Sequence, residues 1–320
     1  MSNKGAGFVT ATALLVLTGC GAGAASPPAT SSTAQPGTVQ PGTVQPGTVQ
    51  PGTEPAAKVP SATVTKLLVF VVENHSLDQM REAMPYTTGL GKQYAVATSY
   101  QAVTHPSLPN YLAMTGGSTF GITDDDPPSS HTTDQPSVFG QALSLGKTAK
   151  VYAEGMPGNC ATEASGQYAV KHNPWAYYLT ERSSCAKYDV PATELSKDVT
   201  NGRLPNAGMV VPDLCNDAHD CDLSVADQWL RTQVGTVMSG PDWRSGHLAV
   251  VVTADEDDHH QNNLVLTAVA HPSVHGVVTT PLTHYSLARL YSEVLGAKPL
   301  AEAATAPSMA TAFGLKLSGR

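Results

Sequence analysis

The chain has 320 residues, 41% of them apolar and 14% charged, enough for one large or two modest domains with a substantial core. Its 18 basic and 26 acidic side chains leave a net charge of −8. That balance excludes an electrostatic nucleic-acid binder, which needs a basic face to displace counterions from phosphates.

Lys4 precedes an apolar run from Phe8 to Leu17 that is too short to span a bilayer and has the form of an export signal. The run ends in Leu17-Thr18-Gly19-Cys20, which resembles a bacterial lipobox. The expectation is a signal peptide over 1–19, lipidation on Cys20, and attachment to the outer face of the cell membrane or secretion. An ordinary signal cleaved nearby is the alternative. Gln35-Pro36-Gly37-Thr38-Val39 then recurs from Gln40 and Gln45, with a last copy from Gln50. A five-residue period is too short for a solenoid repeat, so 20–60 reads as an extended, disordered linker ahead of a catalytic domain over 61–320.

Within that domain, Lys66–Val72 is a continuous, β-branched apolar run of the kind buried in a parallel sheet. Comparable runs lie at 149–153, 208–211, 247–253 and 264–270. Helical patterns lie between them at 110–114, 137–145, 223–238 and 282–295. In the third of these, Val225, Trp229, Val234 and Val237 mark the apolar stripe. The alternation predicts an α/β domain: a mainly parallel central sheet flanked by helices, with ligands gathering beyond the carboxyl ends of the strands. Four cysteines fall in this region: Cys160, Cys185, Cys215 and Cys221. Three pairings are possible. The local one, 160 with 185 and 215 with 221, is expected because each bond closes one loop between predicted strands.

Three of the predicted strands end in chemistry. The first runs into Glu73-Asn74-His75-Ser76, the third into Asp213 through Asp220, and the fourth into Asp255-Glu256-Asp257-Asp258. Packed carboxylates repel unless a cation lies among them, and the oxygen-rich set Glu73, Asn74, Asp255 and Glu256 suits a divalent ion. Between the first two clusters, Ser107 sits between Pro106 and Pro109 where a helix can begin, so its hydroxyl can meet a metal while amides face an anion. No Gly-x-Ser-x-Gly elbow, Walker loop or His-Glu-x-x-His motif is present.

These segments, with Ser107-Leu108-Pro109-Asn110-Tyr111, Lys171-His172-x-Pro174-Trp175 and Thr283-His284-Tyr285-Ser286, occur in an order that resembles the bacterial phosphoesterase family. That family lies within the alkaline phosphatase superfamily and includes phospholipases C and secreted acid phosphatases. The resemblance implies that Glu73, Asn74, Asp255, Glu256 and Ser107 hold one divalent ion, with a second ion possible, and that Ser107 attacks phosphorus. Asn110 would hydrogen-bond a phosphoryl oxygen, and His105, Lys171 and His172 would bind substrate. His284 would serve the metal or the leaving group. His219 and Asp217 would contribute to a second metal position or protonate the leaving oxygen. Ala254 and His259-His260 stand where family members often have tryptophan and glycine, a departure that falls on the pocket wall. The implied activity is an exported, monomeric acid phosphatase acting on phosphate monoesters of small molecules or phospholipid headgroups. A phospholipase C-type diesterase and a binding lipoprotein without turnover are the alternatives.

Overall fold

The computed structural model describes Pro60 and residues 62–318. The expectations for the signal peptide, Cys20 and nearly all of the linker lie outside the described residues.

Among the described residues, ten strands appear in chain order: β1 (Lys66–Val72), β2 (Ala95–Ala97), β3 (Tyr100–Gln101), β4 (Ala149–Ala153), β5 (Asp189–Pro191), β6 (Ala207–Val211), β7 (Leu248–Ala254), β8 (Thr267–Ala270), β9 (Gly276–Val278) and β10 (Leu282–Thr283). Eight of them form one sheet in the order β5-β4-β6-β1-β7-β8-β2-β9, and β10 pairs with β3. Only β8 runs against its neighbours in the large sheet. β1 lies at the centre with every residue after Lys66 fully buried. This burial on both faces explains its unbroken apolar run.

The helices form two groups. α1 (Leu77–Ala83), α2 (Pro85–Gln93), α6 (Leu195–Thr200) and α8 (Pro241–Arg244) pack around α7 (Leu223–Ser239). α3 (Ser107–Gly116), α4 (Val138–Ser144) and α9 (His284–Leu295) pack on one another, with α10 (Met309–Phe313) against α9. α5 (Arg182–Tyr188) lies beside β5. α9 starts at a capping box between Thr283 and Ser286 and stops at Gly296, which adopts the left-handed conformation at φ 68° that glycine takes without strain.

The buried stripe of α7 is Leu223, Ala226, Leu230, Val234 and Val237. This corrects the stripe expected through Val225 and Trp229. Val225 is exposed, and Trp229 is half-buried with its ring edge-on to Phe70 and its indole N–H on Glu154. The observed set follows the i, i+3, i+4 spacing more closely, and the indole is drawn aside by a polar partner.

Disulfides join Cys160 to Cys185 and Cys215 to Cys221. The first ties the chain beyond β4 to α5. The second closes the loop that follows β6.

Candidate active site

β6, β1 and β7 are adjacent and parallel, so their carboxyl ends open onto one edge of the sheet. Glu73 follows β1, Asp217 lies in the loop after β6, and Asp255 follows β7. The Glu73 amide donates to the Asp217 carbonyl at 2.8 Å, and the Asp255 amide to the Val72 carbonyl at 3.0 Å, which locks the three strand ends together. Asn74 turns the chain off β1 at φ 51°, a left-handed conformation that asparagine tolerates.

Glu73 is fully buried at the centre of the cluster. Its Oε2 accepts from Ser107 Oγ at 3.0 Å, its Oε1 accepts from the Tyr111 hydroxyl, and His172 Nε2 lies 3.1 Å from Oε2. His172 Nδ1 is 3.1 Å from Asp217 Oδ2, and the imidazole stacks on the Tyr111 ring with centroids 5.3 Å apart. Burial alone would raise the Glu73 carboxyl, but His172 and the hydrogen bonds hold it at about 2. His172 is pulled the opposite way: burial disfavours its charge, yet Glu73 and Asp217 lift it to about 9.

Ser107 is the first residue of α3 and is 1% exposed. It follows the cis His105–Pro106 peptide. The amide of Leu108 donates to Asp125 Oδ1 at 2.9 Å, and Lys171 Nζ pairs with Asp125 Oδ2 at 2.9 Å, so Asp125 couples the start of α3 to Lys171.

Asp255 Oδ1 accepts the amides of Asn74 and Glu256. Burial, then Glu73 and Glu256, push the Asp255 carboxyl well above the carboxylate range. Glu256 rises to about 8 through burial and the charges of Glu73 and Asp125. Asp217 is raised by burial and Glu73, against the pull of His172. Two buried acceptors, Asn74 Oδ1 and Asp255 Oδ2, have no hydrogen-bond partner. Acceptors without donors, among acids that resist ionising together, are the condition a hard cation relieves. Glu73, His172 and Asp217 also offer one ligand atom each within 4.8 Å of one another.

A model of the Phosphoesterase family matches residues 78–276. The chain belongs to the phosphoesterase family. It is 29% identical over 257 residues to a phosphatidylinositol-3-phosphatase of Mycobacterium tuberculosis, covering 79% of this chain and 84% of that protein. An acid phosphatase of Aspergillus fumigatus is 30% identical over 181 residues, 52% of this chain, and a phosphate-repressible acid phosphatase of Penicillium chrysogenum is 30% identical over 180, 53% of it. The matches span only 39% and 42% of those two fungal proteins. Among solved structures, a protein of the alkaline phosphatase superfamily from Vibrio parahaemolyticus superposes with a TM-score of 0.53 at 10% identity, covering 75% of this chain and 68% of that one. A lipoteichoic acid synthase from Listeria monocytogenes gives 0.50 at 11% identity, covering 77% and 76%. At such identities the likeness is one of fold.

Other residues singled out in the sequence of this phosphoesterase take different positions. Asn110 Oδ1 accepts the amides of Val103 and Thr104, and its Nδ2 donates to the carbonyls of Thr104 and Pro106 and to Glu256 Oε2. The side chain thus braces the loop before Ser107 rather than facing open space. His284 is brought to the back of the cluster. Its Nε2 meets the Asp255 carbonyl, which can only accept, so Nε2 carries the proton and Nδ1 accepts from the Tyr100 hydroxyl at 3.1 Å. Burial lowers its pKa to about 4, against the pull of that carbonyl. Both nitrogens are engaged, which ties the imidazole to the backbone of Asp255. His105 lies 3.2 Å from both Glu256 and Asp257 and stacks on His259 at 3.9 Å. His219 stands at the rim, its Nδ1 on Asp220 and its ring 5.9 Å from His172.

Asp125, Tyr111 and Asp257 are the residues whose roles the sequence conceals. Asp257 accepts three amides of its own loop, from His259, Gln261 and Asn263. The repeated acids at 124–126 and 255–258 signal a cluster but not which member builds the backbone.

Proposed function

We propose that the chain is a divalent-metal-dependent acid phosphatase that hydrolyses phosphate monoesters through Ser107. The observation that carries this reading is the buried Ser107 hydroxyl on Glu73, in a cluster where Asp255 and Asn74 each keep one buried oxygen without a donor. Glu73, Asn74, Ser107, Asp255 and Glu256 would hold the ion, and the Glu73, His172 and Asp217 set marks room for a second. When bound, a divalent ion supplies charge neutralisation for the phosphoryl oxygens and lowers the pKa of the serine hydroxyl. Ser107 passes its proton to Glu73 Oε2, on which it already donates, and Oγ attacks phosphorus as the bond to the leaving oxygen breaks, while His219 at the rim gives that oxygen a proton. His219 then takes a proton from water as it attacks the phosphoserine, the Oγ–phosphorus bond breaks, and Oγ recovers its proton from Glu73 to restore Ser107. Lys171 and the protonated His172 supply positive charge along the path of the phosphate. Asn110 and His105 hold Glu256 in place.

The names of the relatives favour monoesters over diesters. Two disulfides support an exported protein, and no helix among the described residues is long and apolar enough to cross a membrane. An anchor on Cys20 and a 20–60 tether would place a monomeric 61–320 catalytic domain at the outer membrane face. A side-by-side assay tests the reading. Nitrophenyl phosphate should be hydrolysed, chelator should abolish turnover, and added divalent ion should restore it. Preferential cleavage of phosphatidylcholine would make the protein a diesterase, and inertness towards both would make it a binding lipoprotein.

A further inference from the structure

The amino ends of β1 and β4 lie at the sheet edge opposite Ser107. Lys66 opens β1 and Glu73 follows it, a separation of roughly 20 Å at about 3.3 Å per strand residue. At that far edge lies a cavity of about 530 Å³, and a second of about 560 Å³ continues from it along the outer strand β5, the two sharing Lys150, Tyr188 and Glu194 as a common wall. Together they form a groove lined by Lys66, Lys147, Lys150, Lys187, Lys197 and Arg203. Six of the chain's 18 basic residues thus converge on one groove, against only Glu194 and Asp198 among its acids, in a molecule whose net charge is −8.

Among the described residues, three of the six cations have acidic partners and three do not. Asp198 pairs with Lys150, Asp242 with Lys66, and Glu194 reaches Lys197 only at 3.4 Å on the exposed surface. No ion pair among the described residues holds Lys147, Lys187 or Arg203, although Lys187 sits over the Tyr188 ring. Lys147, Lys187 and Arg203 thus leave an excess of positive charge that raises the local potential, and a multiply charged anion relieves it. Arginine with several lysines suits phosphate oxygens, and each cavity is of ligand size. Leu143, Tyr188 and Pro205 add an apolar wall.

We propose that this groove is a second anion site, which binds phosphate groups carried by a free polyphosphorylated compound or by a lipid headgroup, remote from the catalytic cluster. It requires neither Ser107 nor the metal ligands, so it stands or falls independently of the reaction proposed above.

Calorimetry of the full chain in metal-replete buffer, with methylenediphosphonate as an uncleavable probe, tests it. The wild type should bind one equivalent that the Lys147→Gln/Arg203→Gln double variant loses or binds at least tenfold more weakly, while nitrophenyl phosphate turnover stays within twofold. Lys197→Gln, at an exposed position, should weaken the same equivalent, and it serves if the double variant folds poorly. Flotation with phosphatidylcholine vesicles carrying phosphatidylinositol phosphate separates the sources. Greater recruitment of wild type than variant assigns a lipid headgroup, and equal recruitment assigns a free compound. No binding by the wild type, equal affinity in both variants, or loss of turnover together with binding would overturn the proposal.

Discussion

Glu73 is held from four directions, and the hydroxyl of Tyr111 is the direction easiest to remove. A buried hydrogen bond to a carboxylate contributes about 1.5–3 kcal/mol, and partners that orient metal ligands typically change metal affinity or activity by about 10–100-fold. Tyr111→Phe keeps the ring under His172, so it should lower kcat and raise the metal concentration needed for half-maximal activity, each by roughly tenfold. A metal titration of activity separates this from simple unfolding. A second residue-scale expectation concerns Asp189, buried away from the site with Oδ2 on Asn173 and Oδ1 without a partner. Burial raises its pKa from 3.8 to about 8, against the Asn173 hydrogen bond. The folded protein therefore keeps a proton that the unfolded chain releases. Its contribution is complete below pH 3.8 and is lost progressively as pH rises to about 8. Asp189→Asn removes that loss, so its Tm relative to wild type should climb across the same interval. A flat difference would show that Asp189 is ionised in the fold.

At the scale of elements, α7 separates the two readings of its apolar stripe. Leu230 is fully buried against the core, and Leu230→Ala should cost about 2–5 kcal/mol in denaturant unfolding. Val225→Ala, on the exposed face, should stay within about 0.5 kcal/mol. The reverse order would restore the stripe through Val225. The long strands β1, β6 and β7 were legible because burial on both faces demands unbroken apolar runs, and β4 because only Lys150 interrupts its run. β2, β3, β5, β9 and β10 span two or three residues each, and pairing partners distant in sequence decide their existence. The same limit applies to side chains. The sequence brings His284 to the cluster, but only the fold shows its nitrogens spent on Tyr100 and the Asp255 carbonyl. It shows acids at 124–126, but not that Asp125 reaches the start of α3.

At the scale of the molecule, the two disulfides bridge separations of 25 and 6 residues. Loop-closure entropy assigns them about 3.5 and about 2 kcal/mol. Reductant should therefore lower Tm by several degrees, and Cys160→Ser/Cys185→Ser should lower it more than Cys215→Ser/Cys221→Ser. The smaller loop carries Asp217 and His219, so opening it should reduce kcat/KM out of proportion to its effect on stability. Activity that tracks Tm alone would place that loop outside the chemistry. The acidic surplus is unevenly spread at this scale: part of it gathers at the carboxyl edge around Ser107, while the opposite edge collects cations.

The central claim is that Ser107 carries the phosphoryl group. Acid-quenching the protein during turnover of nitrophenyl phosphate, followed by peptide mass spectrometry, tests this most directly. The account predicts a single added phosphate on the peptide containing Ser107, absent from Ser107→Ala, which should also lack turnover. Sustained turnover by Ser107→Ala, with no phosphopeptide in the wild type, would contradict it.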